Sequence, residues 1–124
     1  MSIQTPLGRV RGLGSAKSGV EHFWRQRVTA VALVPLTAWF VWAVARYTGA
    51  PHEQVIGFLS DPFNATAMLL FLFAGLYHMA LGVQVVIEDY VNKEGTKLAL
   101  LLLMKFAAFA VGVVCAIAVL RIAV

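Results

Sequence analysis

The sequence predicts an all-α integral membrane protein with three transmembrane helices, and three observations carry that prediction. The 124 residues are 60% hydrophobic and only 13% charged. A mean hydropathy of +0.81 is more apolar surface than a soluble domain of this size can hide. Three apolar runs are each long enough to cross a hydrocarbon layer about 30 Å thick. Most of the basic residues collect in the flanks of those runs, so the formal charge of +4 reads as membrane orientation and not as nucleic-acid binding.

Residues 1–19 are expected to form an irregular cytosolic tail, because they are rich in glycine and short of bulky side chains. The tail carries Arg9, Arg11 and Lys17 but no continuous apolar stretch, so no secretory signal is read there. Its shortness and modest Arg and Ser content also set it apart from a mitochondrial transit peptide. The membrane-anchor domain is placed at residues 20–121. Its first residues, Val20 to Arg27, mix aromatic and cationic side chains, the composition of an interfacial anchor with Trp24 in the aromatic belt.

Span 1 is placed at about 28–47, uncharged between Arg27 and Arg46. Pro35 within it removes one backbone hydrogen bond, a defect that neighbouring helices accommodate. Trp39 and Trp42, three apart, share a face suited to packing or lipid contact. Residues 48–61 read as a short connection holding Gly49, Pro51 and Gly57. Asp61-Pro62 is a helix-start signal, with a carboxylate at the N-cap and proline at the first helical position. Span 2 is placed at about 62–90; at 1.5 Å per residue it is about 43 Å long and must tilt or project beyond the hydrocarbon.

Residues 92–96 form a polar turn in which Gly95 reads as the helix stop and Thr96 as the next cap. Span 3 is placed at about 97–120. Ala108, Gly112 and Ala116 repeat every fourth residue, which lets another helix approach closely. Lys105 lies two turns inside this span and is expected to snorkel to the nearer interface. Cys115 is the only cysteine, so no intrachain disulfide can form.

Three spans put the two ends on opposite sides of the membrane. Arg9, Arg11, Lys17, Arg25, Arg27, Lys93 and Lys97 fall on one side, against Arg46 and Arg121 on the other. The positive-inside rule therefore puts the N-terminus and the Asp89-Tyr90 end of span 2 in the cytoplasm or matrix, and the C-terminus outside.

His78 is the only histidine within a span, and intramembrane ionisable residues are functional by default. Two roles stay open: ligand or proton carrier, or hydrogen-bonding glue between helices. Neutral imidazole is a common axial ligand of haem iron. A second axial ligand has only Met68, Met79 and Met104 as candidates on paper, and methionine more often packs. A haem here would take its second ligand from another chain. Ala74 and Gly82 lie one turn either side of His78, leaving either a groove for something flat or a seam for close helix packing.

From His78 to Asp89 a continuous helix turns about 1100°, which brings Asp89 within about 20° of the His78 face and about 16 Å along the axis. Tyr90 alone reads as aromatic belt. Beside Glu88 and Asp89, its phenol could donate to a quinone carbonyl while a carboxylate relays protons.

Two stretches, His22-Phe23-Trp24-Arg25-Gln26-Arg27-Val28-Thr29-Ala30 and His78 through Asp89-Tyr90-Val91, resemble the small hydrophobic anchor subunits of succinate dehydrogenase (complex II), in their alphaproteobacterial and mitochondrial-like form. The His-to-Asp-Tyr spacing is the more specific of the two, and the resemblance covers residues 20–121. It implies a three-helix anchor that packs with a larger cytochrome b anchor subunit into a helical bundle. His78 would be the haem b iron ligand, with the other axial histidine supplied by that larger subunit. Arg27 would lie near the haem propionates, Tyr90 would hydrogen-bond ubiquinone, and Asp89 would be the neighbouring acid.

The resemblance gives His22 and Trp24 no settled role. It implies flavoprotein and iron–sulfur partner subunits that oxidise succinate. This chain has no flavin fingerprint and no cysteine cluster, so it would not oxidise succinate alone. The short tail places it in a bacterial inner membrane ahead of the mitochondrial one. A fumarate reductase anchor is the nearest alternative. A non-redox transporter or assembly protein is the other, although a proton-coupled transporter usually needs an intramembrane carboxylate, and Glu88 and Asp89 stand only at the polar end of span 2, outside its hydrocarbon-spanning part.

Overall fold

Backbone amides in a hydrocarbon layer find no water, so a crossing segment satisfies its N–H and C=O groups by becoming a helix. The computed structural model describes residues 5–12 and 19–124. Its helices are α1 (Pro6–Val10), α2 (Gly19–Tyr47), α3 (His52–Ser60), α4 (Pro62–Tyr90) and α5 (Glu94–Ala123). Of these, α2, α4 and α5 are long and apolar enough to cross a membrane. The middle helix α4 is central: α2 and α5 each pack on it rather than on each other, and α3 packs across α4 and α5.

The start of α4 follows the local code of its sequence. Asp61 Oδ1 accepts from the backbone N–H groups of Phe63 and Asn64, both at 3.1 Å, and Pro62 takes the first helical position. In α2 the helix continues through Pro35. It also begins well before Val28: the aromatic and cationic segment is itself helical, with Glu21 paired to Arg25 one turn on.

Three expectations are corrected. A turn of helix, α1, stands within the tail expected to be irregular. Thr5 Oγ1 accepts from the Gly8 N–H at 3.1 Å and Pro6 occupies the first turn, while Gly12 follows the helix at φ 65°, a conformation that favours glycine. The rest of that tail, Lys17 included, lies outside the described residues. Residues 48–61 are not a plain connection either. Gly49, at φ 77°, makes the turn, and α3 then fills the segment. Phe58 of α3 seats among Tyr47, Trp39 and Trp42, with ring centroids 4.6, 6.0 and 6.3 Å away.

The third correction concerns the polar turn. Helix α5 starts at Glu94 with Lys93 at its N-cap, so Gly95 and Thr96 lie inside its first turn and neither stops nor caps a helix. Glu94 favours that start, since a carboxylate stabilises the positive end of the helix dipole, and Lys97 pairs with it at 3.6 Å.

Close approaches hold α4 to its neighbours. Phe40 of α2 stacks on Phe71 of α4 at 4.6 Å, and a Cβ at Gly75 would lie 4.0 Å from Leu33 Cδ2. On the other side, Gly112 of α5 is buried, and a Cβ there would lie 3.4 Å from Leu76 Cδ1. Lys105 is exposed. Large apolar side chains such as Val31, Phe63, Phe106 and Phe109 are mostly exposed too. That costs little beside lipid tails, which are as apolar as leucine.

Candidate functional site

The length of α4 sets the depth of its one histidine. His78 lies about 24 Å from the Pro62 end of the helix and about 18 Å from the Tyr90 end. Its ring is half-buried and meets α2 through a polar contact, Thr29 Oγ1 to His78 Nδ1, at 3.0 Å. With Nδ1 engaged, Nε2 is the ring nitrogen left for a ligand. In lipid such an interhelical hydrogen bond contributes about 0.6 kcal/mol on average and up to about 1.7.

Beside His78 runs an open-sided groove of about 550 Å³, walled on α2 by Ala30, Leu33, Val34, Thr37, Ala38 and Val41. Two of these are alanines. The sequence pointed instead to small residues on α4; at Gly82 a Cβ would meet nothing within 4 Å, so that position is open, but it does not line the groove. The wall residues recur at helical spacing, and Arg27 falls within about 20° of Val34 and Ala38 on the same stripe. Arg27 is exposed, its guanidinium 5.1 Å from the centroid of the Phe23 ring. A cation therefore stands on the groove's stripe toward the N-terminal end of α2, and Arg27 is not among the residues that line the groove with His78.

None of Met68, Met79 and Met104 lines the groove with His78. Met68 borders a separate cavity with Phe40, Tyr47 and Phe58 near the α3 end. Among the described residues no group of three or more His, Cys, Asp or Glu side chains converges. A metal held by His78 would have one side-chain ligand from this groove.

Tyr90 and Asp89 end α4 and are both exposed, Tyr90 at 82%. Neither makes a side-chain hydrogen bond or ion pair among the described residues. Glu88 is held by Gln84 Nε2 at 2.8 Å. His22, in the first turns of α2, has a buried Nε2 with no hydrogen-bond partner among the described residues. The residue that sequence reasoning missed is Thr29. It stands in the Arg27-Val28-Thr29-Ala30 motif, and only the antiparallel register of α2 on α4 puts it opposite His78.

The fold is that of a multi-pass integral membrane protein, with three helices long and apolar enough to cross and a groove beside the histidine of the middle one. A sequence model described as succinate dehydrogenase/fumarate reductase transmembrane subunit matches residues 1–114. The chain belongs to this family. The match takes in the first nineteen residues, which carried no visible resemblance.

The relatives agree. The succinate dehydrogenase hydrophobic membrane anchor subunit of Paracoccus denitrificans is 38% identical over 101 residues, covering 82% of this chain and 78% of that one. The subunit of the same description from Rickettsia bellii is 32% identical over 103 residues, covering 83% and 82%. The succinate dehydrogenase membrane anchor subunit of Reclinomonas americana is 34% identical over 95 residues, covering 74% and 79%.

Proposed function

We propose that this chain is the small anchor of a succinate:ubiquinone oxidoreductase in a bacterial inner membrane, binding haem b through His78 and contributing Tyr90 and Asp89 to the ubiquinone site. The groove at His78 carries the haem half of this reading. It offers an imidazole whose Nε2 makes no hydrogen bond among the described residues, a mostly apolar wall open on one side, and Arg27 on the same stripe to pair with carboxylates at the ring's edge. These residues fit haem b and do not complete its ligation. The second axial ligand then comes from a partner, the larger cytochrome b anchor subunit of this reading. Bound haem supplies a one-electron redox centre within the membrane.

The chain's own residues do simpler work. His78 gives a lone pair from Nε2, and the Arg27 guanidinium neutralises acid groups at the rim. At the cytoplasmic end of α4, the Tyr90 phenol donates a hydrogen bond to a quinone carbonyl oxygen. Asp89, exposed to water beside it, passes protons to that oxygen as the quinone is reduced. Succinate oxidation belongs to flavoprotein and iron–sulfur partners, so the chain is a subunit of the enzyme and no catalyst alone. In this reading residues 1–19 are the tail and 20–121 the anchor proper, with N-terminus and Tyr90 on the cytoplasmic side.

The test is a reduced-minus-oxidised absorption spectrum of the purified complex, wild type beside His78→Ala. A low-spin b-type spectrum in the wild type that is lost in the variant is expected. A spectrum unchanged by the substitution would move the iron to another residue.

A further inference from the structure

We propose that Thr29 is a positioning residue, whose hydroxyl fixes His78 as the Nδ1–H tautomer so that Nε2 presents its lone pair to a metal in the α2–α4 groove. This rests on the haem reading above and adds a residue to it. Thr29 Oγ1 has one hydrogen and three polar neighbours: the Arg25 carbonyl at 2.8 Å, the Gln26 carbonyl at 3.0 Å and His78 Nδ1 at 3.0 Å. Both carbonyls can only accept. A threonine hydroxyl within a helix characteristically bonds back to carbonyls of the preceding turn, and here two of them share its proton.

With that proton committed, Oγ1 can meet Nδ1 only as an acceptor. Nδ1 then carries a hydrogen, and a neutral imidazole protonated there has a bare Nε2. That is the protonation state a metal requires of its histidine. The opposite tautomer would turn the hydroxyl towards the ring, forfeit both carbonyl bonds and put an N–H where the ligand should bind. Thr29 therefore does for His78 what outer-shell acceptors do at other metal sites: it sets the ring's orientation and raises its basicity.

A more basic ligand favours ferric over ferrous iron, so removing the hydroxyl should raise the haem midpoint potential. It should also weaken haem binding by about ten- to a hundredfold, the usual effect of losing such a partner. The experiment uses the whole purified complex with Thr29→Val, Thr29→Ala and Thr29→Ser. Each is read by redox titration of the b-haem band and by haem retained during dilution.

A raised potential and faster haem loss in the Val and Ala variants, both returned to wild-type values in the Ser variant, is the expected result. A wild-type potential in Val or Ala overturns the proposal, as does a Ser variant that shifts as far as Val, since the hydroxyl would then be idle. If the Val complex does not assemble, Ala decides by the same criteria. Haem that survives His78→Ala overturns the haem reading itself, whatever the Thr29 variants show.

Discussion

Replacing Tyr90 by Phe removes one phenolic oxygen from a side chain that is 82% exposed and makes no hydrogen bond to another described residue. The fold therefore loses no internal contact with that atom, and any deficit must arise from something outside the chain. A single neutral hydrogen bond to a quinone carbonyl is worth about 0.5–1.5 kcal/mol. At about 1.4 kcal/mol per factor of ten, that is about a two- to twelvefold loss of quinone affinity.

Steady-state quinone reduction by the purified complex, measured across quinone concentrations, should show KM rising by that factor. Succinate oxidation with a soluble dye as acceptor should not change. Nor should the haem spectrum, because His78 sits about 18 Å further along α4. An unchanged quinone KM refutes the hydrogen bond. A matching fall in dye reduction would refute the claim that Tyr90 is separable from assembly.

Two further predictions concern the helices that hold the site. Gly112→Val puts a branched side chain where a Cβ alone would lie 3.4 Å from Leu76 Cδ1. It should cost about 1–3 kcal/mol by overpacking, read as a lower thermal inactivation temperature of the complex; Gly82→Ala, with nothing within 4 Å of its new Cβ, should leave the α2–α4–α5 packing as it is. Asp61→Ala removes the acceptor of two N–H groups at 3.1 Å. The site is exposed, so water replaces part of the loss, and the cost falls at the low end of about 0.5–2 kcal/mol; hydrogen exchange should speed up at Phe63 and Asn64 and not in the middle of α4.

What the sequence made legible was local. Asp61-Pro62 specifies a helix start through two neighbouring amides and one fixed φ, and the structure has that start. The three spans were legible because each needs only length and apolarity. Residues 48–61 were not, because Gly49, Pro51 and Gly57 look alike as loop signals. Yet Gly49 makes the turn, Pro51 precedes a helix and Gly57 lies inside it.

Gly95 and Thr96 misled for a related reason. Their residue types suit a helix stop and a cap, but Glu94 already sits in the favoured first turn of α5. Thr29 was invisible for a different reason. A threonine in an apolar run acquires meaning only from the helix opposite, and the register that pairs it with His78 is tertiary information.

The depths of the candidate residues carry a mechanistic argument of their own. His78 lies deep in α4, where a polar group needs a partner; Thr29 provides one for Nδ1, and under the proposed function the haem iron would take Nε2. Tyr90 and Asp89 lie at the helix end, where water can reach a carboxylate and supply protons. Under the proposed function, a proton-consuming quinone reduction would take place at that second depth, and an electron-holding group would need no water at the first. One continuous helix joins the two, and among the described residues no side-chain hydrogen bond links them. Substitutions at Thr29 should therefore move the haem potential and leave quinone KM alone, while Tyr90→Phe should do the reverse. A variant at either end that moved both quantities would mean that α4 transmits strain along its length, and the two-depth division would fall.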